Sequence, residues 1–583
     1  MLPSRNGSYA ILTRLFLRQF LENDLTSPDG DRAQLLAIVG ASVVSLTLFI
    51  SMFMSSGYAM SILMPGHAAV LTLSDKFFYI SLAMLVTALV AASQWDALAI
   101  DQRDAAILQP LPVRPATLRF AKLTAVAILG AGAALAVNIF PTIVFPWMLA
   151  FAVPQMSAWQ VFWMMGIHAA ITMSAAVFGY LVVIGVRESA SALLGGRLFA
   201  RVSPWMQTAT IVLVGSAVLL LPIASSRVGQ LGLTDWRAHL PSMAFVGVYE
   251  TVTHGFLADL PRRRMTKPQS DRDQFFSALY AERRPMFAPL AQRAGMLFGL
   301  AAGVVLVATA INAFRMPIAG VAAPRRRRRS QIVDRLPRLL FPRSAAARAG
   351  FDFALATIWR HKTHRLTLAC AAAIGFAAVL VALSRVDLAG ETLSTRLLII
   401  QPLLYGALLV GFRHLIRVPA ELRANWAIQV AWRGKARSFA NGAHTAAMAT
   451  LALPAIVIVA PPVAMVGGVN LAAAHALIGV AGAAVLLEAL MLSYDKVPFT
   501  CTYVPAESIR VVAPIYVLAF LLGASLFARL ELSMLAGDYA MKGTAALLTL
   551  LVALRVGSIF RSRSSQIDFN EGPSSQAQLG LHS

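Results

Sequence analysis

The residues best suited to do work in this chain are charged and proline-marked rather than catalytic. Asp101, Arg103 and Asp104 alternate acid, base and acid, and Leu111-Pro112-Val113-Arg114 follows. A proline at that place ends one helix before another starts. Two short helices joined in this way present a rigid polar knob to a partner, although an ordinary solvated loop has the same composition. Enzyme chemistry has no comparable signal. The chain has no G-x-x-x-x-G-K-[ST] phosphate loop, and Gly434-Lys435-Ala436 and Lys542-Gly543-Thr544 lack its spacing. No His or Cys set has metal-ligand spacing, and no G-x-S-x-G elbow occurs. The sequence therefore predicts no ATPase motif, no metal and no cofactor.

A second polar stretch holds Glu421, Arg423, Trp426 and Arg433. Four further features lie within apolar sequence. Glu488 is a carboxylate that must face protein or water rather than lipid, unless it reaches the interface near Lys496. Asn138 precedes Pro141 and Pro146, where an ordinary kink or a broken, site-lining helix is expected. Gly295, Gly299 and Gly303 form a row that lets two backbones approach closely. His168 and His475 are single imidazoles, read as packing residues. Arg325–Arg329 suit anionic lipid headgroups, and no interleaved aromatics point to nucleic acid.

The elements that carry these residues are membrane helices. The chain is 58% hydrophobic and 13% charged, with mean hydropathy +0.68. A soluble chain is roughly one quarter charged. The net charge of +23 reads as Lys and Arg collected on cytoplasmic loops. Cys370 and Cys501 cannot build a disulfide framework, and Cys370 is expected to be a small buried hydrophobe. No signal peptide is expected, because the first apolar run is too long for one. Gaps between charged residues predict twelve spans. The first lies at about 36–63 and the second at 77–95. Two lie between Lys122 and Arg187, with Pro154 near the turn, and then one each at 201–227 and 293–315. The second set comprises 365–385, 396–413, two spans between Arg437 and Glu488 with Pro461-Pro462 near the turn, 510–529, and 542–560 if Arg555 snorkels. Residues 238–258 are read as a surface or re-entrant helix, because Glu250 argues against a span.

The order of elements repeats. An amphipathic helix at 9–22, with Leu12, Leu15, Phe16 and Phe20 on one side, precedes the first span. Another at 351–365, with Phe351, Leu355, Ile358 and Trp359, precedes the seventh. In each half the long polar loop follows the second span. The expected organisation is a first six-span half at 1–314, a basic linker at 315–350, a second half at 351–561 and a disordered tail at 562–583. Charge bias places both termini in the cytoplasm.

The run from Asp101 through Leu111-Pro112-Val113 to Ala121-Lys122-Leu123 resembles the cytoplasmic loop of ABC-2-type exporter permeases. The amphipathic helix and six-span half look like that family too. The resemblance implies a permease component in the bacterial inner membrane, driven by a separately encoded ATPase that sits on this loop. Pro419-Ala420-Glu421-Leu422-Arg423-Ala424-Asn425-Trp426 and Lys496-Val497-Pro498-Phe499-Thr500-Cys501 look like segments of double-length permeases of this kind. The second loop departs from the first in lacking a Leu-Pro-Val turn. The fold expected is an all-α polytopic membrane protein of two ABC-2-like halves, with lipids and the ATPase as partners and a homodimer left open. An ion- or proton-coupled transporter using Glu488, and a non-transporting scaffold, are the alternatives.

Overall fold

The computed structural model describes residues 5–21, 47–48, 50–52, 65–98, 115–152, 157–226, 228, 236–253, 271–315, 337–341, 343–384, 394–420, 428, 430, 436–492, 497–500, 509–537 and 540–564. Among these, regular structure is helical throughout, and 10 stretches are long and apolar enough to cross a membrane. The chain is an all-α, multi-pass membrane protein. It divides into two compact units, Met1–Pro324 and Arg325–Ser583.

The first unit is built around α2 (Pro65–Ser93), which packs on α3 (Pro115–Ala152), α4 (Ala158–Ser225), α5 (Pro241–Thr253) and α6 (Asp271–Arg315). Lipid is as apolar as leucine, so close packing rather than water exclusion holds such helices together. Gly179 of α4 lies against the Met84 carbonyl of α2, where a Cβ would collide with backbone. Aromatic rings fill the rest, with Phe77, Phe78, Tyr79, Phe145, Phe245 and Tyr249 all buried. The amphipathic helix α1 (Arg5–Leu21) buries Leu12 and Phe16 against Leu118, Ala121 and Ala125 of α3. Leu15, expected on that face, stays exposed with Ile11 as a neighbouring row.

Several boundaries differ from the sequence reading. Asp75 and Lys76 were expected to flank the second span. They lie within α2, both buried. Pro141 and Pro146 do not break α3, which runs through both. Phe145 and Leu149 beside them are fully buried, so neighbours hold the helix where proline removes its bonds. The turn expected near Pro154 lies just outside the described residues, and α4 then starts from Ser157, whose side chain accepts from the Gln160 amide in a capping box. At Gly195, with φ 68°, α4 breaks into two membrane-length stretches. Residues 241–253 form α5, too short to cross a membrane and buried rather than lying on a surface. The helix that carries the sixth span begins well before 293, at Asp271.

In the second unit, α7 (Ala345–Arg360) starts from a Ser344 cap, earlier than expected, and ends at His361, after which α8 (Lys362–Leu383) enters the apolar region. Helix α9 (Ile400–Leu415) follows a helical turn at Thr395–Leu398. Then α10 (Ala436–Ala447) passes through a π-helical turn into α11 (Leu453–Met491), followed by α12 (Ile509–Leu535) and α13 (Ala540–Ser564). The break in α11 is at Gly468, φ 79°, rather than at Pro461-Pro462, which lie inside the helix. Helices α7 and α10 cross at two glycines: a Cβ at Gly350 would strike the Phe439 carbonyl, and one at Gly442 the Ala347 carbonyl. Cys370 is exposed on α8, not buried. The first expected span is described only at 47–48 and 50–52, and the tail only to Ser564.

Candidate functional site

Residues 99–114, which include Asp101, Arg103, Asp104, Leu111, Pro112 and Arg114, lie outside the described residues, but both of their attachments are defined. On the entry side, Trp95 is 1% exposed and opens a 3-10 turn after α2. Its indole N–H donates to Ser203 Oγ at 2.9 Å, and its carbonyl accepts from Arg187 Nε at 2.7 Å. Gln207 Nε2 donates to the Ala92 carbonyl at 3.0 Å. Arg187 also pairs with Glu188, which accepts from Asn312 Nδ2 at 2.7 Å. Arg187 and Ser203 lie on opposite sides of the Gly195 break, so Trp95 is held by both arms of α4. On the exit side, α3 starts at Pro115, and α1 lies on its first turns. Tyr9 Oη shares a 2.5 Å hydrogen bond with Thr124 Oγ1, and Lys122 Nζ sits 5.2 Å from the Phe16 ring centroid.

The second unit repeats this mounting with different chemistry. Residues 421–427 and 431–435, which include Glu421, Arg423, Trp426 and Arg433, also lie outside the described residues. The chain enters them from Ile416–Ala420, which is tied to 497–500. Phe499 N donates to the Ile416 carbonyl and Ala420 N donates to the Phe499 carbonyl, both at 2.9 Å. Two motifs set apart in the sequence thus meet. Phe499 is fully buried against Phe353, His364 and Phe412, and it takes φ 65°, a conformation costly for a bulky residue. His364 Nε2 lies 2.9 Å from the Val418 carbonyl. On the exit side α10 begins at Ala436 and is crossed by α7, as α3 is by α1.

Buried charge forms a second kind of site. Lys76 of α2 donates to Glu250 of α5, whose other oxygen accepts from Tyr280 of α6. Lys76 Nζ also lies 4.5 Å from the Tyr249 ring centroid. One ion pair thus ties α2, α5 and α6 together and explains why a charged short helix is buried. His168 of α4 packs among Tyr79, Phe145 and Tyr249, with centroids 5.6, 5.2 and 5.9 Å away. In the second unit His475 Nδ1 lies 2.5 Å from Glu531 Oε1.

Other sequence-selected residues find plainer surroundings. Glu488 was expected to reach the interface near Lys496, which lies outside the described residues. Glu488 pairs with Arg555, which crosses inside α13 as half of a neutral pair. Asn138 donates to the Ala134 carbonyl of its own helix at 2.8 Å and touches the Met173 sulfur. A Cβ at Gly295, Gly299 or Gly303 would meet nothing within 4 Å, so this row makes no close helix approach among the described residues. Sequence reasoning missed Lys76, Arg187, Glu188, Tyr280 and Glu531, because each was counted as a boundary charge or not at all. Compared with known proteins, the chain matches no family model, no curated protein sequence and no solved structure.

Proposed function

We propose that this chain is the membrane permease component of an ATP-driven exporter in the bacterial inner membrane. A separate ATPase subunit sits on residues 99–114, and 421–435 form a second docking segment. The observation that carries the reading is the repeated mounting. In each unit the loop after the second span leaves a buried anchor, Trp95 or the 416–420 segment held by Phe499. It returns into a helix braced by an amphipathic helix. A loop fixed at both ends transmits force to its helices, whereas a freely solvated loop does not. Twelve spans follow if 36–63 crosses once and Gly468 divides Arg437–Met491 into two. An even number puts both termini on one side. Glu488, neutralised by Arg555, is a weak candidate for an ion-coupling group.

A photo-crosslinking residue placed at Arg103, and separately at Trp426, tests the docking. Capture of one ATPase at Arg103 is expected in native membranes. Failure at Arg103, with the protein intact and inserted, contradicts the reading.

A further inference from the structure

We propose that His475 and Glu531, with Gln401 and Tyr405 beside them, form an intramembrane site for one exchangeable proton. The inference does not depend on the ATPase. Three membrane-length stretches converge here: α9 supplies Gln401 and Tyr405, α11 supplies His475, and α12 supplies Glu531. Gln401, His475 and Glu531 are each 0% exposed. The 2.5 Å contact between His475 Nδ1 and Glu531 Oε1 requires a proton between the two atoms.

Charge balance singles this pair out. Lys76–Glu250, Arg187–Glu188 and Arg555–Glu488 each match a carboxylate to a Lys or Arg, and stay neutral without exchanging a proton. His475–Glu531 is neutral only while it holds one proton. With none it leaves a negative charge in a low-dielectric interior, and with two it leaves a positive one. Among the described residues, the titratable groups that face Glu531 are His475 and Tyr405. Arg396, Arg529 and Lys542 on the surrounding elements are exposed. Neither of the two groups facing Glu531 is a fixed cation.

The pair is also incompletely bonded. His475 Nε2, Glu531 Oε2 and both amide atoms of Gln401 have no partner among the described residues. Buried polar atoms left open in this way are the ones that water satisfies. Gly479, one turn after His475, lies directly against the Gln401 side chain, which brings that amide to the α11 face carrying His475. The cluster thus has a proton-holding pair and a polar edge through which water can load it.

The test is infrared spectroscopy of the purified full-length protein in lipid nanodiscs, titrated from about pH 5 to about pH 8. The expected result is a protonated-carboxyl band that changes with pH, is absent in Glu531→Gln and is displaced in His475→Gln. Glu531→Asp keeps a carboxyl and is expected to shift the same band, which assigns it to this position even if Glu531→Gln misfolds. A carboxyl that is ionised throughout would overturn the proposal in favour of a fixed imidazolium–carboxylate pair. A band insensitive to pH would overturn exchange. A band removed by sodium at constant pH would make this a metal-cation site instead.

Discussion

Arg187 donates from Nε to the Trp95 carbonyl at 2.7 Å, and this bond fixes the point where the chain leaves α2 for residues 99–114. Arg187 is 6% exposed and Glu188 7%, so the bond is made inside the protein. Replacing Arg187 with Met strands the Glu188 carboxylate with Asn312 alone, at an expected loss of about 3–5 kcal/mol. The double variant Arg187→Met, Glu188→Gln recovers most of that loss. Thermal unfolding in detergent reads both, and a double variant no better than the single one contradicts the pairing.

The Lys76–Glu250 pair behaves in the same way through a different connection. Lys76→Met and Glu250→Gln each leave one buried charge, and each is expected to destabilise by about 3–5 kcal/mol. Combined, they lose much less than the sum, because no charge remains unpaired. Additive losses would show that the two residues do not meet.

Phe499 gives an inverted glycine effect. Its φ of 65° favours glycine, while its ring packs on three others. Phe499→Ala is expected to lose about 3–5 kcal/mol of packing. Phe499→Gly removes no less of the ring yet is expected to lose about 1 kcal/mol less, because backbone strain is relieved. Alanine equal to or better than glycine contradicts a left-handed residue at this position.

Glycines separate into two groups. Gly442→Ala forces a methyl into the Ala347 carbonyl and is expected to destabilise by about 1–3 kcal/mol. Gly299→Ala meets open space and is expected to fall within about 0.5 kcal/mol of wild type. Unfolding of the two variants side by side is the measurement. A large loss at Gly299 would show that the row packs against a partner.

These contrasts mark where sequence reasoning reached and where it stopped. Long apolar runs identify membrane helices because lipid cannot satisfy a free backbone, and that reading survives. The amphipathic helix at α1 was legible from Leu12 and Phe16, since helical spacing alone puts them on one face. Interior charge was not legible. Glu250 looked like evidence for a surface position, and Lys76 like a span boundary, because a sequence shows each charge without its partner 174 residues away. Glycine spacing misled for the same reason. The 295–303 row has the right period, but a Cβ there meets nothing within 4 Å among the described residues, whereas Gly350 and Gly442, isolated in sequence, each meet backbone of the opposite helix at the α7–α10 crossing. Phe499 carried no signal of its φ, which the rings around it impose.

The most direct test of the docking account is co-purification in mild detergent from the protein's own cells. Wild type is compared with the Asp101→Ala, Arg103→Ala, Asp104→Ala triple variant, with ATPase activity assayed in each eluate. The account expects an ATPase with wild type that is lost or uncoupled in the triple variant, while the variant protein still folds and inserts. An ATPase retained with full coupling in the variant, or absent from wild type under every condition, contradicts it.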